Sequence, residues 1–260
     1  MDLGIAGRTA LLCGASRGLG LACAERLAEN GVNIVLAARG GAELETVCAR
    51  IHREHNVATR FIVADMTNAA DRAQIAAECP APDIFVTSGG WPNITVPPDE
   101  WTNAMWHVAL ESMLLAPIDL FARLSPGMVQ RRFGRIVAVT SRLIKQPEFM
   151  LAMPSAARLG LTGYVKAISR KLAPHNVTVN TILPGIFDTA RQIEHTRGLA
   201  QAHGKTDAEI VAERAVLTPA GRFGRPREFS ALCAYVCSAD ASFLTGQALV
   251  IDGGAHPGIW

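Results

Sequence analysis

A glycine-rich segment near the N-terminus has the residue types and spacing of a phosphate-binding turn. Residues 13–21 read C-G-A-S-R-G-L-G-L, with glycines at Gly14, Gly18 and Gly20, between an apolar run and a helical pattern. Glycines let the backbone approach a pyrophosphate closely, and the free N–H groups at the start of the next helix bind anions. The spacing is G-x-x-x-G-x-G and not G-x-G-x-x-G. The segment predicts a dinucleotide site; the alternative is a turn that only allows tight helix packing.

The elements that would position this turn alternate along the whole chain. Seven short β-branched runs have strand length and are bounded by Gly, Pro, Asp or Asn, with helical patterns between them. They span residues 9–13, 32–38, 59–64, 83–87, 134–140, 177–183 and 247–252. This alternation predicts an α/β fold, a doubly wound parallel sheet of seven strands covered on both faces. We expect a single Rossmann-type domain over residues 1–260.

One long segment, residues 190–224, shows no recognisable element and is richer in charge than its neighbours. A loop of that length is usually a lid over a site or a disordered excursion. We expect a substrate lid here, and we call residues 190–224 the lid segment.

Composition and charge give no sign of several kinds of partner. The 25 Lys and Arg nearly balance the 23 Asp and Glu, and this balance predicts no nucleic-acid partner. No long apolar run or signal peptide is visible, so we expect a cytoplasmic protein with no membrane partner. The six cysteines form no C-x-x-C pair, and His52 and His55 have no third ligand at a useful spacing, so no metal is expected.

Four further motifs follow the strands at regular places. A-D-M-T stands at 64–67, T-S-G-G at 87–90, L-P-G-I-F-D-T at 183–189, and a long C-terminal run spans 221–254. Together with the glycine turn they resemble the short-chain dehydrogenase/reductase family, in its classical branch, over nearly the whole chain. The resemblance implies a nicotinamide-dependent oxidoreductase with a small-molecule substrate. It also implies a homotetramer or homodimer, paired through the two long helices that flank the fifth strand.

The resemblance further implies a cofactor site built from several separate segments. Its expected residues are Gly14, Ser16, Arg17, Gly18, Leu19, Gly20, Arg39, Asp65, Met66, Ser88, Gly89, Gly90, Arg158, Pro184, Gly185, Ile186 and Thr189.

The choice between the two nicotinamide dinucleotides depends on charge at the end of the second strand. An acid there would accept a hydrogen bond from a ribose 2′-hydroxyl, whereas a 2′-phosphate needs a cation. The strand ends Ala37-Ala38-Arg39 without a carboxylate, and Arg17 lies inside the glycine turn. These two arginines predict NADP(H); the alternative is that Arg39 only faces solvent or caps the next helix.

The catalytic residues depart from the family pattern. The family's catalytic serine matches Ser141, but its Tyr-x-x-x-Lys pair falls on Pro154 and Arg158, and its asparagine falls on Met113. Proline has no proton to give, although its fixed φ suits the first turn of a helix. A guanidinium can hydrogen-bond ribose hydroxyls but cannot shuttle a proton. Of the family's four catalytic side chains, only the serine remains.

A substitute proton donor must come from the loop after Ser141 or from the lid segment. Lys145 is the first candidate, because a partly desolvated ammonium can act as an acid or base. The alternative is a solvent-facing loop lysine. Glu148 and Asp188 are weaker candidates for a role near the nicotinamide, where a carboxylate could stabilise a cationic substrate such as an iminium; Asp188 has the alternative role of capping the next helix.

Two functions follow from these observations. The first is an NADP(H)-dependent oxidoreductase for a small carbonyl or imine, with Ser141, Lys145 and Arg158 as its catalytic residues. The second is a cofactor-binding relative without hydride chemistry, either a regulatory or scaffolding protein or an enzyme of another class that reuses the pocket. Retention of Ser141 and Thr189, which serve the nicotinamide end in the family, favours the first.

Overall fold

The computed structural model describes residues 2–89 and 96–259, and a seven-stranded parallel sheet forms its centre. The strands are β1 Thr9–Cys13, β2 Asn33–Ala38, β3 Thr59–Val63, β4 Ile84–Thr87, β5 Gly134–Val139, β6 Val177–Pro184 and β7 Ala248–Ile251. Their order is β3-β2-β1-β4-β5-β6-β7, and every pair is parallel. The predicted doubly wound sheet of seven strands is confirmed.

Helices connect the strands and cover both faces of the sheet. They are α1 Gly18–Glu29, α2 Gly41–His55, α3 Ala69–Glu78, α4 Asn103–Leu110, α5 Ala116–Arg131, α6 Ala152–Leu172, α7 Ala190–His203, α8 Asp207–Ala215 and α9 Pro226–Val236. Two clusters of buried apolar side chains form the core, one including α1 and α9 and the other including α5 and α6. The five inner strands are mostly buried because both faces of a parallel sheet exclude water, whereas the edge strands β3 and β7 are more exposed.

The strand order determines where a ligand can bind. After β1 the chain crosses to β2 and β3 on one side, and β4 then pairs with β1 on the other side. This reversal opens a crevice at the carboxyl ends of the strands, where open α/β sheets bind ligands. The glycine turn follows β1, residues 88–89 follow β4, Ser141 lies just beyond β5, and residues 185–189 follow β6.

The lid segment is not irregular, contrary to the expectation from the sequence. It contains α7 and α8, which begin at the N-caps Thr189 and Thr206; Thr206 forms a capping box with Glu209. Gly204 ends α7 in a left-handed conformation with φ of 63°. The apolar periodicity is weak because each helix buries few side chains, so pattern reading missed both helices.

The structure shows the state of the cysteines and allows a search for membrane-spanning helices and metal-binding clusters. All six cysteines are free and buried, as expected of core residues. Across residues 2–89 and 96–259, no helix is long and apolar enough to cross a membrane. The same residues contain no group of three His, Cys, Asp or Glu side chains arranged to hold a metal ion.

Candidate active site

Two glycines of the turn, Gly14 and Gly20, are packed so closely against neighbouring backbone that no side chain fits. Gly14 has a φ of 70°, and a Cβ placed there would overlap the carbonyl group of Ser88. A Cβ on Gly20 would lie 2.6 Å from the carbonyl oxygen of Gly14, and one on Gly18 would lie 3.9 Å from Thr189 Cγ2. The turn therefore joins the ends of β1 and β4 to the segment after β6. The tight backbone approach that a pyrophosphate needs is present.

The start of α1 suits an anion. Arg17 is the N-cap and provides no side-chain cap, and the first turn of α1 contains no acidic residue. The N–H groups of a helix start are then left for a phosphate. Ser16 and Leu19, the other predicted residues of the turn, are partly buried beside these groups.

The predicted adenine end lies beyond β3. Asp65 Oδ1 accepts hydrogen bonds from the backbone N–H and the hydroxyl of Thr67, at 2.9 and 2.8 Å. Burial raises the pKa of Asp65, but these bonds and the charge of Arg39 outweigh it and the pKa is lowered. A Cβ on Gly89 would lie 3.8 Å from Met66 Cε, so these two predicted residues are neighbours. Gly90 lies outside the described residues.

Each of the two predicted phosphate-binding arginines forms an ion pair that was not predicted from the sequence. Arg17 lies 3.6 Å from Glu43, in the first turn of α2, and Arg39 lies 3.8 Å from Asp65. The side chains of Arg17 and Arg39 are 69% and 82% exposed. Such long, exposed ion pairs are weak, so both guanidinium groups remain accessible to a phosphate. An acid near the end of β2 could have been suspected from the position of Glu43 at a helix start.

The predicted nicotinamide end is formed by residues 184–189. Pro184 ends β6, and Gly185 donates its N–H to the carbonyl of Ile251 at 2.9 Å. A Cβ on Gly185 would lie 2.6 Å from Asp252 Cβ, so only glycine fits there. Ile186 is partly buried, and Thr189 caps α7 beside the glycine turn.

Ser141 begins a short turn at the carboxyl end of β5. Its Oγ accepts a hydrogen bond from the N–H of Leu143 at 3.2 Å, which fixes the turn Arg142–Ile144. Lys145 follows the turn and donates its N–H to the carbonyl of Arg142 at 2.9 Å. Its side chain is partly buried, and no carboxylate of residues 2–89 or 96–259 lies within ion-pair distance of it. Glu148 is exposed and paired with Arg142 at 3.1 Å, which weakens its case as the carboxylate that stabilises a cationic substrate.

Pro154 and Arg158 occupy the start of α6. Pro154 is the third residue of the helix and is buried, as predicted for a first-turn position. Arg158 lies one turn further along and is partly buried. Burial lowers the pKa of Arg158 to about 10, and the charge of Arg191 contributes to the same direction. Arg158 is therefore still a cation at neutral pH.

The asparagine position of the family pattern is also without a polar side chain. Met113 is buried in a π-helical turn, Glu111–Leu115, between α4 and α5. The neighbouring Ser112 is turned inward and donates its hydroxyl to the carbonyl of Val108 at 2.8 Å. Neither residue offers a side-chain amide.

Asp188 does not cap the helix that follows it. Thr189 is the N-cap of α7, because its Oγ1 accepts the N–H of Gln192 at 3.4 Å. Asp188 donates its own N–H to the carbonyl of Gly224 and lines a cavity of about 530 Å³ between α7, α8 and residues 221–225. The residues that line this cavity all fall within 188–225, so the cavity is distinct from the turn at Ser141.

Arg191, like Glu43, is a charged residue near the candidate site that was not predicted from the sequence. It lies in the first turn of α7, two residues after Thr189, and its charge acts on Arg158. Burial lowers the pKa of Arg191, and the charge of Glu194 opposes that shift. The signal available in the sequence was a cation directly after the segment that resembles the nicotinamide-binding motif.

Comparisons of sequence match the chain over nearly its whole length. A family model described as enoyl-(acyl carrier protein) reductase matches residues 14–256. The NADPH-dependent reductase BacG of Bacillus subtilis (strain 168) is 31% identical over 259 residues, which cover 97% of this chain and 99% of BacG. The 3-oxoacyl-(acyl-carrier-protein) reductase FabG of Vibrio cholerae is 30% identical over 262 residues, with coverages of 98% and 99%.

Solved structures match equally completely. The L-sorbose reductase from Gluconobacter frateurii, complexed with NADPH and L-sorbose, superposes with a TM-score of 0.95 at 27% identity and covers 100% of both chains. YwfH, an NADPH-dependent reductase involved in bacilysin biosynthesis, superposes with a TM-score of 0.89 at 30% identity, covering 97% of this chain and 99% of YwfH.

Proposed function

The chain belongs to the short-chain dehydrogenase/reductase family, and from this premise we propose that it is an NADP(H)-dependent oxidoreductase. Its substrate is a small carbonyl or imine, and its proton donor is not the family's tyrosine. The observation that carries the proposal is the convergence of the glycine turn, Ser88 and Thr189 at the carboxyl ends of β1, β4 and β6. That convergence supports a phosphate cradle beside the residues expected at the nicotinamide end.

The residues of the crevice fit a dinucleotide. The turn from Gly14 to Gly20 and the start of α1 would hold the pyrophosphate, and Asp65 would contact the adenine. Arg17 and Arg39 would hold a 2′-phosphate. When bound, the cofactor supplies the hydride that a carbonyl or imine carbon accepts.

The chain's own residues then account for the remaining chemistry. Ser141 donates a hydrogen bond to the reacting oxygen or nitrogen, once its hydroxyl turns toward substrate. Arg158 holds the ribose on the nicotinamide side. Lys145, or a water that it positions, delivers the proton that completes the alcohol or amine, and the neutral amine left on Lys145 then regains a proton from solvent. In the oxidative direction Lys145 first loses a proton to solvent, and its neutral amine accepts the proton of the alcohol or amine.

The loss of the tyrosine favours one alternative. Pro154 cannot donate a proton, so the chain could bind the cofactor without hydride chemistry. A panel of small ketones, aldehydes and cyclic imines, followed by NADPH absorbance, separates the two functions. Consumption of NADPH with any member supports the oxidoreductase. Tight NADPH binding with no consumption across the panel favours the alternative.

We expect the protein to bind NADPH more tightly than NADH. Arg17 and Arg39 are exposed and only loosely paired, so a 2′-phosphate can replace their acidic partners. A charge-assisted hydrogen bond contributes about 1.5–3 kcal/mol, so NADPH should bind at least about tenfold more tightly. Calorimetric titration with both dinucleotides measures the difference.

Arg39→Asp should reverse this preference, because a carboxylate repels the phosphate and accepts from a 2′-hydroxyl. Arg53→Asp, near the opposite end of α2, is the matched control and should leave the preference unchanged. Equal affinities of the unmodified protein for NADPH and NADH would contradict the assignment.

We also expect an oligomer, a homotetramer or a homodimer. Exposed apolar side chains lie on α4, on α6 and in the π-helical turn: Val108, Leu159 and Leu115. A Cβ on Gly160 would contact Leu114 at 3.4 Å, so Gly160 serves packing inside the subunit, whereas Gly163 faces open space.

Light scattering should return a multiple of 27.7 kDa. Leu159→Asp should shift it toward the monomer, and Leu217→Asp, an exposed position after α8, should not.

A further inference from the structure

A buried arginine lies behind the adenine end of the proposed cofactor site. Arg72, in the first turn of α3, is only 7% exposed. Its Nη1 donates to the carbonyl oxygen of Met66 at 2.6 Å and to Glu111 Oε1 at 2.7 Å, and its Nε donates to Asp119 Oδ2 at 2.7 Å. One guanidinium therefore joins the segment after β3 to the π-helical turn and to α5.

The segment after β3 is held at two consecutive residues. Asp65 donates its backbone N–H to Asp71 Oδ2 at 2.7 Å, and the carbonyl of Met66 accepts from Arg72. Residues 64–68 lie between β3 and α3, outside both elements, so side-chain hydrogen bonds contribute to fixing their peptide groups. The two residues held in this way, Asp65 and Met66, are the ones expected at the adenine end.

Met66 borders the crevice directly. A Cβ on Gly89 would lie 3.8 Å from Met66 Cε and 3.9 Å from the Cα of Gly14. Gly89 follows β4, and Gly14 begins the glycine turn. A shift of the main chain at Met66 would therefore move one wall of the proposed cofactor site.

The surroundings of Arg72 keep it charged and fixed. A buried cation is stable when it is paired and its N–H groups are bonded, and two carboxylates do this for Arg72. Burial lowers the pKa of Arg72, but the hydrogen bonds to Asp119 and Glu111 outweigh it and the pKa is raised. Asp119 is itself held by Arg123, whose Nε donates to Oδ1 at 2.9 Å. A charged donor in a fixed geometry makes a stronger hydrogen bond to a carbonyl than a neutral donor does.

Building on the proposed function, we propose that Arg72 is a positioning residue for the cofactor. It holds the main chain of Met66 in the geometry that receives the adenine, and it acts through Met66 without contacting the cofactor. Glu111 and Asp119 direct the guanidinium, because each accepts from a different nitrogen of the planar group.

Arg72→Met keeps the apolar part of the side chain and removes these three hydrogen bonds. The Kd of NADPH should rise at least about tenfold, and so should the Kd of adenosine 2′,5′-bisphosphate, which is the adenine half alone. Calorimetric titration measures both. The fluorescence emission of NADPH at saturation reports the surroundings of the nicotinamide and should match that of the unmodified protein. General disruption of the fold would change this emission as well.

Two milder variants and a control accompany it. Arg72→Lys should retain part of the affinity, because an ammonium can reach Met66 but lacks the second nitrogen that binds Asp119. Glu111→Ala should weaken NADPH binding less than Arg72→Met, since Asp119 still holds Nε. Arg60→Met is the matched control: Arg60 donates to the carbonyl of Glu78 at 2.7 Å, at the opposite end of α3, and its loss should leave NADPH affinity unchanged.

Unchanged NADPH affinity in folded Arg72→Met would overturn the proposal. If Arg72→Met does not fold, unchanged affinity in both Arg72→Lys and Glu111→Ala overturns it equally. Weakened bisphosphate binding in Arg72→Met, in a protein that consumes no NADPH with the carbonyl and imine panel, supports this inference and contradicts the proposed oxidoreductase. Turnover by the unmodified protein with full NADPH affinity in Arg72→Met does the reverse. An unmodified protein that binds neither NADPH nor the bisphosphate contradicts both.

Discussion

Lys145→Met is expected to lower kcat by at least about tenfold, and by up to the 10²–10⁴-fold that general acid catalysis typically contributes. Lys145 is partly buried, follows the turn that Ser141 begins, and has no carboxylate partner among residues 2–89 and 96–259. Methionine keeps most of the length of the side chain and removes its ammonium group. The affinity for NADPH should be unchanged, because Lys145 is not among the residues proposed to hold the cofactor. Steady-state kinetics on a substrate from the carbonyl panel, with calorimetry for NADPH, measures both quantities.

Lys171→Met, on an exposed lysine of the last turn of α6, is the matched control and should leave kcat unchanged. Arg158→Met should differ from both variants, since it weakens NADPH binding as well as turnover. Full turnover in Lys145→Met would remove Lys145 from the mechanism and leave Ser141 with solvent as the proton source.

Gly14→Ala is expected to abolish measurable NADPH binding. Gly14 has a φ of 70°, and its added methyl group would overlap the carbonyl of Ser88, which is backbone and cannot rotate away. A left-handed conformation alone costs a non-glycine residue roughly 1–2 kcal/mol, and the overlap forces the turn to open further. The pyrophosphate cradle depends on that turn. Calorimetric titration with NADPH measures the loss.

Two further alanine variants separate the causes. Gly18→Ala keeps the unfavourable φ of 62° but meets no atom closer than 3.9 Å, so it should weaken NADPH binding less than Gly14→Ala. Gly198→Ala lies in α7 with nothing within 4 Å, and should leave binding unchanged while stabilising the fold by about 0.5–1 kcal/mol. Thermal unfolding distinguishes loss of binding from loss of fold. Equal NADPH affinity in all three variants would disprove the cradle.

The framework of the fold could be predicted because its causes are local. Each strand is a short β-branched run closed by residues that favour turns, and β1 spans Thr9–Cys13 as the pattern predicts. The need for glycine at Gly14 and Gly18 is local too, since both have positive φ. The position of Pro154 in the first turn of α6 follows from its fixed φ and missing N–H.

The lid segment was misread because its helices depend on the rest of the protein. α7 and α8 are rich in charge and bury few side chains, among them Ala200 and Ile210. An apolar stripe that narrow gives little periodicity in sequence. The capping residues Thr189 and Thr206 are the local signals, and they mark where helices begin without determining that helices form.

By itself, then, the sequence determined the order of elements, the glycine turn, and the absence of the family's tyrosine and lysine from the start of α6. Only the tertiary structure determined which charged side chains act on each other. Arg17 pairs with Glu43 and Arg39 with Asp65, and the charge of Arg191 acts on Arg158. The physical reason is that charge interactions depend on distances in space. Those distances are set by strand pairing, because β2 pairs with β3 and β5 pairs with β6, bringing residues 39 and 65, and residues 158 and 191, to shared edges of the sheet.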